Sequence, residues 1–278
     1  MTLPPRSRDA RPVGGGYINE AFRVELAGGE TAFVKTRAAP QPGEYRAEAE
    51  GLRWLGEAGG LRTPAVLEVS DSYLALEWLQ VGSLSADGAA ELGRGLALVH
   101  AAGAPCFGDP GFIGPARLGT LQLPNDRSQD WPRFYAECRL LPLAHEAGAR
   151  GRLSAQAVAH VEEVCGRIEE LAGPAEPPAR IHGDLWSGNV LADRDGRPWL
   201  IDPCAHGGHR EVDLAMLRLF GAPPQQTFDA YEEVSPLADG WAERVALYQL
   251  LPLLVHAALF GGGYVSSAES SARELAMR

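Results

Sequence analysis

Apolar and polar positions alternate with period two at Phe22, Val24 and Leu26, break at Gly28-Gly29, and resume at Ala32-Phe33-Val34-Lys35. Two such runs around a Gly-Gly turn predict a β-hairpin, entered through the glycine loop Gly14-Gly15-Gly16. The period then changes. Over 44–55, Tyr45, Glu48, Leu52 and Leu55 recur at helical spacing and share one face, with Glu44 and Glu50 off it. Residues 73–79 (YLALEWL) predict a further strand, apolar on both faces, and Val81-Gly82-Ser83 marks a break after it. Over 89–100, Leu92, Leu96 and Val99 form the stripe of an amphipathic helix ending at His100, which reads as a structural histidine. A Gly/Pro-rich passage at 103–124 and a Pro-rich connection at 172–179 punctuate an otherwise helical stretch. The apolar run 245–260 holds Gln249, Pro252 and His256 and is shorter than the ~20 residues of a membrane span, so a buried helix is expected.

Composition narrows the setting. With 45% apolar and 22% charged residues, the 278-residue chain has a globular composition. Twenty-five Lys and Arg against 36 Asp and Glu give a formal net charge of −11, which offers no basic surface for nucleic acid. Four dispersed cysteines, Cys106, Cys138, Cys165 and Cys204, fit reduced thiols. Residues 1–12 contain no apolar core of a secretory signal. The expectation is a soluble, cytoplasmic protein with no membrane partner.

Candidate chemistry gathers in two places. A glycine loop either is a plain turn or lets backbone N–H groups approach a phosphate, with Lys35 on the returning strand as a point charge. Glu48 lies in an apolar seam and is either a partly solvated carboxylate at its edge or one that needs a cation, for which Lys35 is the candidate. The second place is the stretch IHGDLWSGNVLADRDGRPWLID, residues 181–202. Asp195-Gly196 predicts a tight two-residue turn, pairing Val190 with Ile201, Leu191 with Leu200, and Asn189 with Asp202. An amide oxygen and a carboxylate side by side at that mouth either suit Mg²⁺ or merely hydrogen-bond their own backbone, as turn residues do. Asp184, nearby, is then either another ligand or the base that takes a hydroxyl proton.

In order along the chain, the glycine loop, Lys35, Glu48, Asp184, Asn189 and Asp202 resemble the protein-kinase-like phosphotransferases, in their small-molecule branch. Asp202 is followed by Pro203, so there is no Asp-Phe-Gly, and no Ala-Pro-Glu segment is visible. The chain is similar, more narrowly, to the fructosamine kinase (ketosamine-3-kinase) family. The motifs that carry this are GGGYINEA (14–21), LPND (123–126), Trp131 with FYAECRLLP (134–142), HGDLWSGN (182–189), GHREVDLAM (208–216) and LFGGGY (259–264). The similarity spans roughly residues 12–265.

The resemblance implies an α+β fold of two lobes: a small antiparallel-sheet lobe with one key helix over residues 1–80, and a larger, mainly helical lobe over 81–278, hinged at about 76–82. It implies ATP and Mg²⁺ as cofactors. Asp184 is the implied catalytic base, and Asn189 and Asp202 the metal ligands. Gly14, Gly15, Gly16, Lys35 and Glu48 serve ATP, as do Glu77, Trp78 and Leu79 at the hinge. Trp186 is the implied wall of a sugar pocket; His209 and Asp213 fall on the substrate side, Asp213 as a carboxylate steadying the catalytic loop. Some relatives carry cysteine where this chain has Tyr17, so a glycine-loop thiol switch is not expected. The implied reaction is phosphorylation of a ketosamine's third-carbon hydroxyl, on a small molecule or a glycated lysine, which destabilises the sugar–amine adduct. A kinase of another amine-bearing alcohol, such as an aminoglycoside or choline, and a non-catalytic pseudokinase are the alternative readings.

Overall fold

The computed structural model describes residues 7–14, 19–26 and 28–278; Gly15, Gly16 and Tyr17 lie outside them. The alternating runs become β1 (Ser7–Val13), β2 (Glu20–Leu26) and β3 (Thr31–Thr36), followed by α1 (Glu44–Glu57), β4 (Val66–Val69) and β5 (Tyr73–Glu77). The strands form an antiparallel sheet in the order β1-β2-β3-β5-β4. Period two decides what each face holds. Val24, Ala32, Val34 and Ala75 pack on one side. Phe33, Leu74 and Leu76 pack on the other, against Tyr45, Ala49 and Leu52 of α1. Lys35, two residues after Phe33, therefore points to the side of the sheet that α1 covers.

The rest of the chain is mainly helical. Ser85 caps α2 (Ala86–Ala101), its hydroxyl accepting the Gly88 N–H at 2.9 Å. A short hairpin of β6 (Ala116–Leu118) and β7 (Leu121–Leu123) precedes α3 (Trp131–Tyr135), which runs through one π turn over 136–140 into α4 (Leu141–Ala149). After α5 (Ala155–Gly166) and α6 (Ile168–Leu171) come β8 (Ala179–Ile181), β9 (Val190–Ala192), β10 (Pro198–Leu200) and β11 (His206–Gly208). The chain continues as α7 (Glu211–Leu217), α8 (Gln225–Val234), α9 (Trp241–Phe260) and α10 (Gly263–Ala276). β11 pairs with β8, setting His206 opposite Ile181.

Two cores fill this part. One joins Trp131, Phe134 and Leu140 to Tyr248, Leu250 and Leu254 of α9. The other joins Leu92 and Leu96 of α2 to Phe228 and Tyr231 of α8, with Leu185, Leu200 and Leu214. Trp54, Leu55 and Leu61 belong to this second core although they lie within the first eighty residues. Helix α9 starts four residues before the expected run and spans 20 residues, long and apolar enough to cross a membrane, yet 61% of its apolar window is buried in the fold.

Candidate active site

Strand β8 ends at Ile181 and the chain turns through Gly183, whose φ of 78° is left-handed and where a Cβ would lie 2.3 Å from the Cys204 carbonyl oxygen. Asp213, in the first turn of α7, holds this turn from below. Its Oδ2 accepts the His182 N–H at 2.7 Å and its Oδ1 the Gly183 N–H at 2.9 Å. His100 of α2 adds Nε2 at 3.2 Å from Asp213 Oδ2 and has Nδ1 2.8 Å from the Tyr231 hydroxyl. Burial works against the Asp213 charge, but the His100 hydrogen bond and the His182 N–H outweigh it and hold its carboxyl below the usual range. His182 donates from Nε2 to the Ile201 carbonyl at 2.9 Å, leaving Nδ1 to accept the Asp184 N–H at 3.3 Å. The backbone around Asp184 is thus fixed from both sides.

Asn189 completes the loop. Its Nδ2 donates to the Asp184 carbonyl at 2.8 Å and to Asp184 Oδ2 at 3.2 Å, which leaves Oδ1 as the acceptor of its amide. Burial pushes the Asp184 carboxyl up to about 8, with the neighbouring Asp202 charge adding to it and the Asn189 hydrogen bond working against it.

The hairpin itself departs from the expected register by one residue. Val190 faces Leu200, not Ile201, and Leu191 faces Trp199. The cause is local: the Asp193 carboxylate accepts the N–H groups of Asp195 and Arg197 at 3.0 Å each, and Gly196 is left-handed at φ 76°. This makes a three-residue loop of 194–196 in place of a two-residue turn. Asn189 consequently faces Ile201, whose N–H it accepts at 3.1 Å. Asp202 reaches the mouth by another route: with φ 54° it has the one positive φ at a non-glycine among the described residues. Such strain is characteristic of functional positions.

Asp202 Oδ1 accepts from Lys35 Nζ at 3.0 Å, and Glu48 Oε2 lies 2.5 Å from the same nitrogen. Burial opposes the Lys35 charge, but Asp202 and Glu48 outweigh it and hold the ammonium above its ordinary range. Burial pushes the Glu48 carboxyl up to about 7 against the pull of Lys35. Glu44, expected off the buried face, is also drawn in: its side chain is 11% exposed and lies 2.9 Å from Arg37. At the hinge, Glu77 closes β5 and its Oε2 accepts the Ala65 N–H at 3.1 Å. Trp78 lies under the Arg23 guanidinium, 5.6 Å from its ring centroid. Leu79 is half-buried, and Gly82 N–H donates to the Ala192 carbonyl at 2.8 Å, tying the connector to β9. Gly14 is exposed at the end of β1.

Trp186, the expected wall of a sugar pocket, is 36% exposed and its ring lies close over Gly188. His209 is not brought there. It is 2% exposed, stacked 5.4 Å from Tyr248 and beside Trp131, because the turn into α7 carries it into the α3–α9 core. Asp213 is likewise fully buried and acts on the catalytic loop, not on an open surface. Beside Asp184 lies a hollow of about 10 Å³, room for about one water, lined by Leu118, Val212, Met216, Leu251, Val255 and His256. His256 donates from Nδ1 to the Pro252 carbonyl at 2.7 Å and packs 4.5 Å from Phe220 and 4.9 Å from Tyr264. Leu118 and His256 lie in no local motif and Met216 only ends the 208–216 segment; three separate elements bring them together. A larger cavity of about 360 Å³ between α6, α9 and α10 shares no residue with this site.

A lysine bridging two carboxylates, a half-buried Asp in a clamped loop, and an Asn beside it under a five-stranded sheet define a protein-kinase-like phosphotransferase. Residues 3–278 match the family model for fructosamine kinase, and the chain belongs to that family. A probable ketoamine kinase of Synechocystis sp. is 35% identical over 277 residues, covering 98% of this chain and 91% of the relative. The chloroplastic protein-ribulosamine 3-kinase of Arabidopsis thaliana is 35% identical over 266 residues, covering 93% and 79%. The solved structure of a candidate fructosamine-3-kinase from Thermobifida fusca superposes with a TM-score of 0.90 at 45% identity, over 98% of this chain and 94% of that one. An aminoglycoside phosphotransferase solved with AMP-PNP and hygromycin B shares the fold at 20% identity, with a TM-score of 0.64 over 98% and 94% of the two chains. The protein is accordingly an ATP-dependent phosphotransferase.

Proposed function

We propose that this enzyme transfers the γ-phosphoryl group of ATP to the sugar 3-hydroxyl of a ketosamine, on a small amine or a glycated lysine, and so promotes release of the sugar. The observation that carries this reading is the placement of Asp184 between two sets of groups. Asn189 pins its Oδ2 on one side, and Leu118, Met216 and His256 line the small hollow on the other. The relatives' names supply the acceptor class, ketoamine and protein-ribulosamine.

Asn189 Oδ1 and the Asp202 carboxylate, half exposed at 48%, are hard oxygen donors suited to Mg²⁺, with ATP phosphates and water completing the shell. When bound, Mg²⁺ supplies neutralisation of charge on the phosphates. Lys35, oriented by Glu48, supplies a second cation to them. The acceptor oxygen forms its bond to phosphorus as the bond to the ADP oxygen breaks, and the hydroxyl proton passes to Asp184. Offsetting the Asp202 charge removes one of the three causes that raise Asp184, beside burial and the Asp213 charge, which favours its carboxylate form as the acceptor arrives.

The test is ADP release with Mg²⁺ and ATP on ribulosyl-lysine, fructosyl-lysine, an aminoglycoside and choline, with Asp184→Asn as control. Turnover on a ketosamine, reduced by about 10²–10⁴ in the variant, is the expected outcome. Turnover confined to the aminoglycoside or choline rejects the acceptor while keeping the phosphotransferase.

A further inference from the structure

The β6–β7 hairpin touches both halves of the reaction. Leu118, 5% exposed, faces the hollow beside Asp184. Its neighbour Arg117 points the other way along the strand, as period two requires, and reaches the link 37–43 between β3 and α1. Arg117 Nη1 donates to Gln41 Oε1 at 2.5 Å and Nη2 to the Pro42 carbonyl at 2.8 Å. Gln41 returns the contact, its Nε2 donating to the Thr120 carbonyl at 3.1 Å, while its backbone N–H donates to Glu44 Oε2 at 2.8 Å. The link so held joins the strand that carries Lys35 to the helix that carries Glu48.

We propose that Arg117 is a positioning residue which couples the acceptor cleft to the nucleotide site through Gln41. An acceptor seated against Leu118 steadies the hairpin; the hairpin, through Arg117, steadies the start of α1 and with it the Lys35–Glu48 pair. The guanidinium suits this role because its planar fork engages a side-chain oxygen and a carbonyl at once, which an ammonium does not. Its Nε is buried without a partner, so the cost of placing the group is offset by the contacts to 41 and 42. The acceptor arm of this argument rests on the ketosamine reading; the nucleotide arm does not.

Calorimetric titration of AMP-PNP with Mg²⁺ reads the first arm with no acceptor present. Arg117→Ala and Gln41→Ala are each expected to weaken binding roughly fivefold, the loss of about one charge-assisted hydrogen bond, and the double variant no more than the worse single one. Arg117→Lys should fall between. Melting temperatures within about 2 °C of the parent separate this effect from unfolding. Repeating the titration with saturating ribulosyl-lysine reads the second arm: nucleotide binding should tighten several-fold in the parent and remain unchanged in Arg117→Ala, and linkage requires the reciprocal effect on the ketosamine. Unchanged AMP-PNP affinity in both single variants, additive losses in the double, or two bound ligands with no coupling in the parent each overturn the proposal. A parent that binds AMP-PNP but no ketosamine rejects the acceptor assignment, and the positioning role of Arg117 is then decided by the first arm.

Discussion

Replacing Asp213 by Asn tests the clamp under the catalytic loop with a change of few atoms. Asp213 is fully buried and its two oxygens serve three donors, the His182 N–H at 2.7 Å, the Gly183 N–H at 2.9 Å and His100 Nε2 at 3.2 Å. Asn keeps one oxygen and turns an NH₂ toward at least one of these donors. Converting charge-assisted bonds to neutral ones costs about 1 kcal/mol, and leaving one buried N–H unpaired costs about 1–3 kcal/mol more. The expected loss is about 3 kcal/mol, read as a lower urea midpoint or a melting temperature lower by about 10 °C. Because the clamp holds the backbone of Asp184 and not Lys35, kcat should fall while KM for ATP changes little. The pH dependence has a definite sign. A carboxyl held below its ordinary range contributes stability above about pH 4, its unfolded value, and loses it as pH falls through the folded value, so parent and variant should converge in acid. A loss under about 1 kcal/mol at pH 7, or normal kcat in a destabilised variant, refutes the reasoning.

Glu48→Gln leaves Lys35 with Asp202 as its one charged partner, and should raise KM for ATP about tenfold, as loss of a charge-assisted bond worth about 1.5 kcal/mol implies; initial rates against ATP concentration check this. Burial holds His206 near 3 and His209 near 4, so the unfolded chain takes up protons below about pH 6.5 that the fold refuses. Stability should therefore drop as pH falls from 7.5 to 5, by roughly 2 kcal/mol per histidine, with a smaller drop in His209→Phe by urea titration at the two pH values. Gly93→Ala should destabilise by about 1–2 kcal/mol, since a Cβ would lie 1.9 Å from the Thr227 carbonyl oxygen and force α2 from α8, outweighing the gain in helix propensity. Gly166→Ala, with nothing within 4 Å, should show no loss in the same melting assay.

What could be read from the chain was what local periodicity decides. Helical spacing placed Glu48 in the seam with Tyr45 and Leu52 and left Lys35 as its candidate cation; the sheet, which sets Lys35 on the side of Phe33, brings the two together. The hairpin mouth was visible in its residues but not in its register. Asp193 captured two backbone N–H groups and lengthened the loop, a side-chain competition that the Asp195-Gly196 pair does not announce. His209 shows the opposite limit. Near Asp202 in sequence, it is carried away by the pairing of β11 with β8 and stacked on Tyr248, a residue whose position depends on the packing of α9. The hollow beside Asp184 was invisible for the same reason, since Leu118, Met216 and His256 meet only when three distant elements pack.

The same packing explains how a site divided between two parts of the fold is kept assembled. Helix α1 carries Glu48 from the sheet side, yet both its ends are held from the other side of the cleft. At its start, Arg117 grips Gln41 and Pro42. At its end, Trp54 and Leu55 enter the core of α2 and α8, and Arg180 covers the Trp54 ring while donating to its carbonyl. Between them Gly51 leaves room for Pro203 and Ala205, which a Cβ would meet at 3.3 and 3.2 Å. The residues after Asp202 thus pack on the middle of the helix whose Glu48 orients the lysine that Asp202 also binds. Swinging α1 outward would expose Trp54 and Leu55, worth about 2 kcal/mol each in lost burial, and leave the Arg180 donor unpaired. The Lys35–Glu48–Asp202 chain is therefore held by hydrogen bonds at the start of α1 and by core packing at its end.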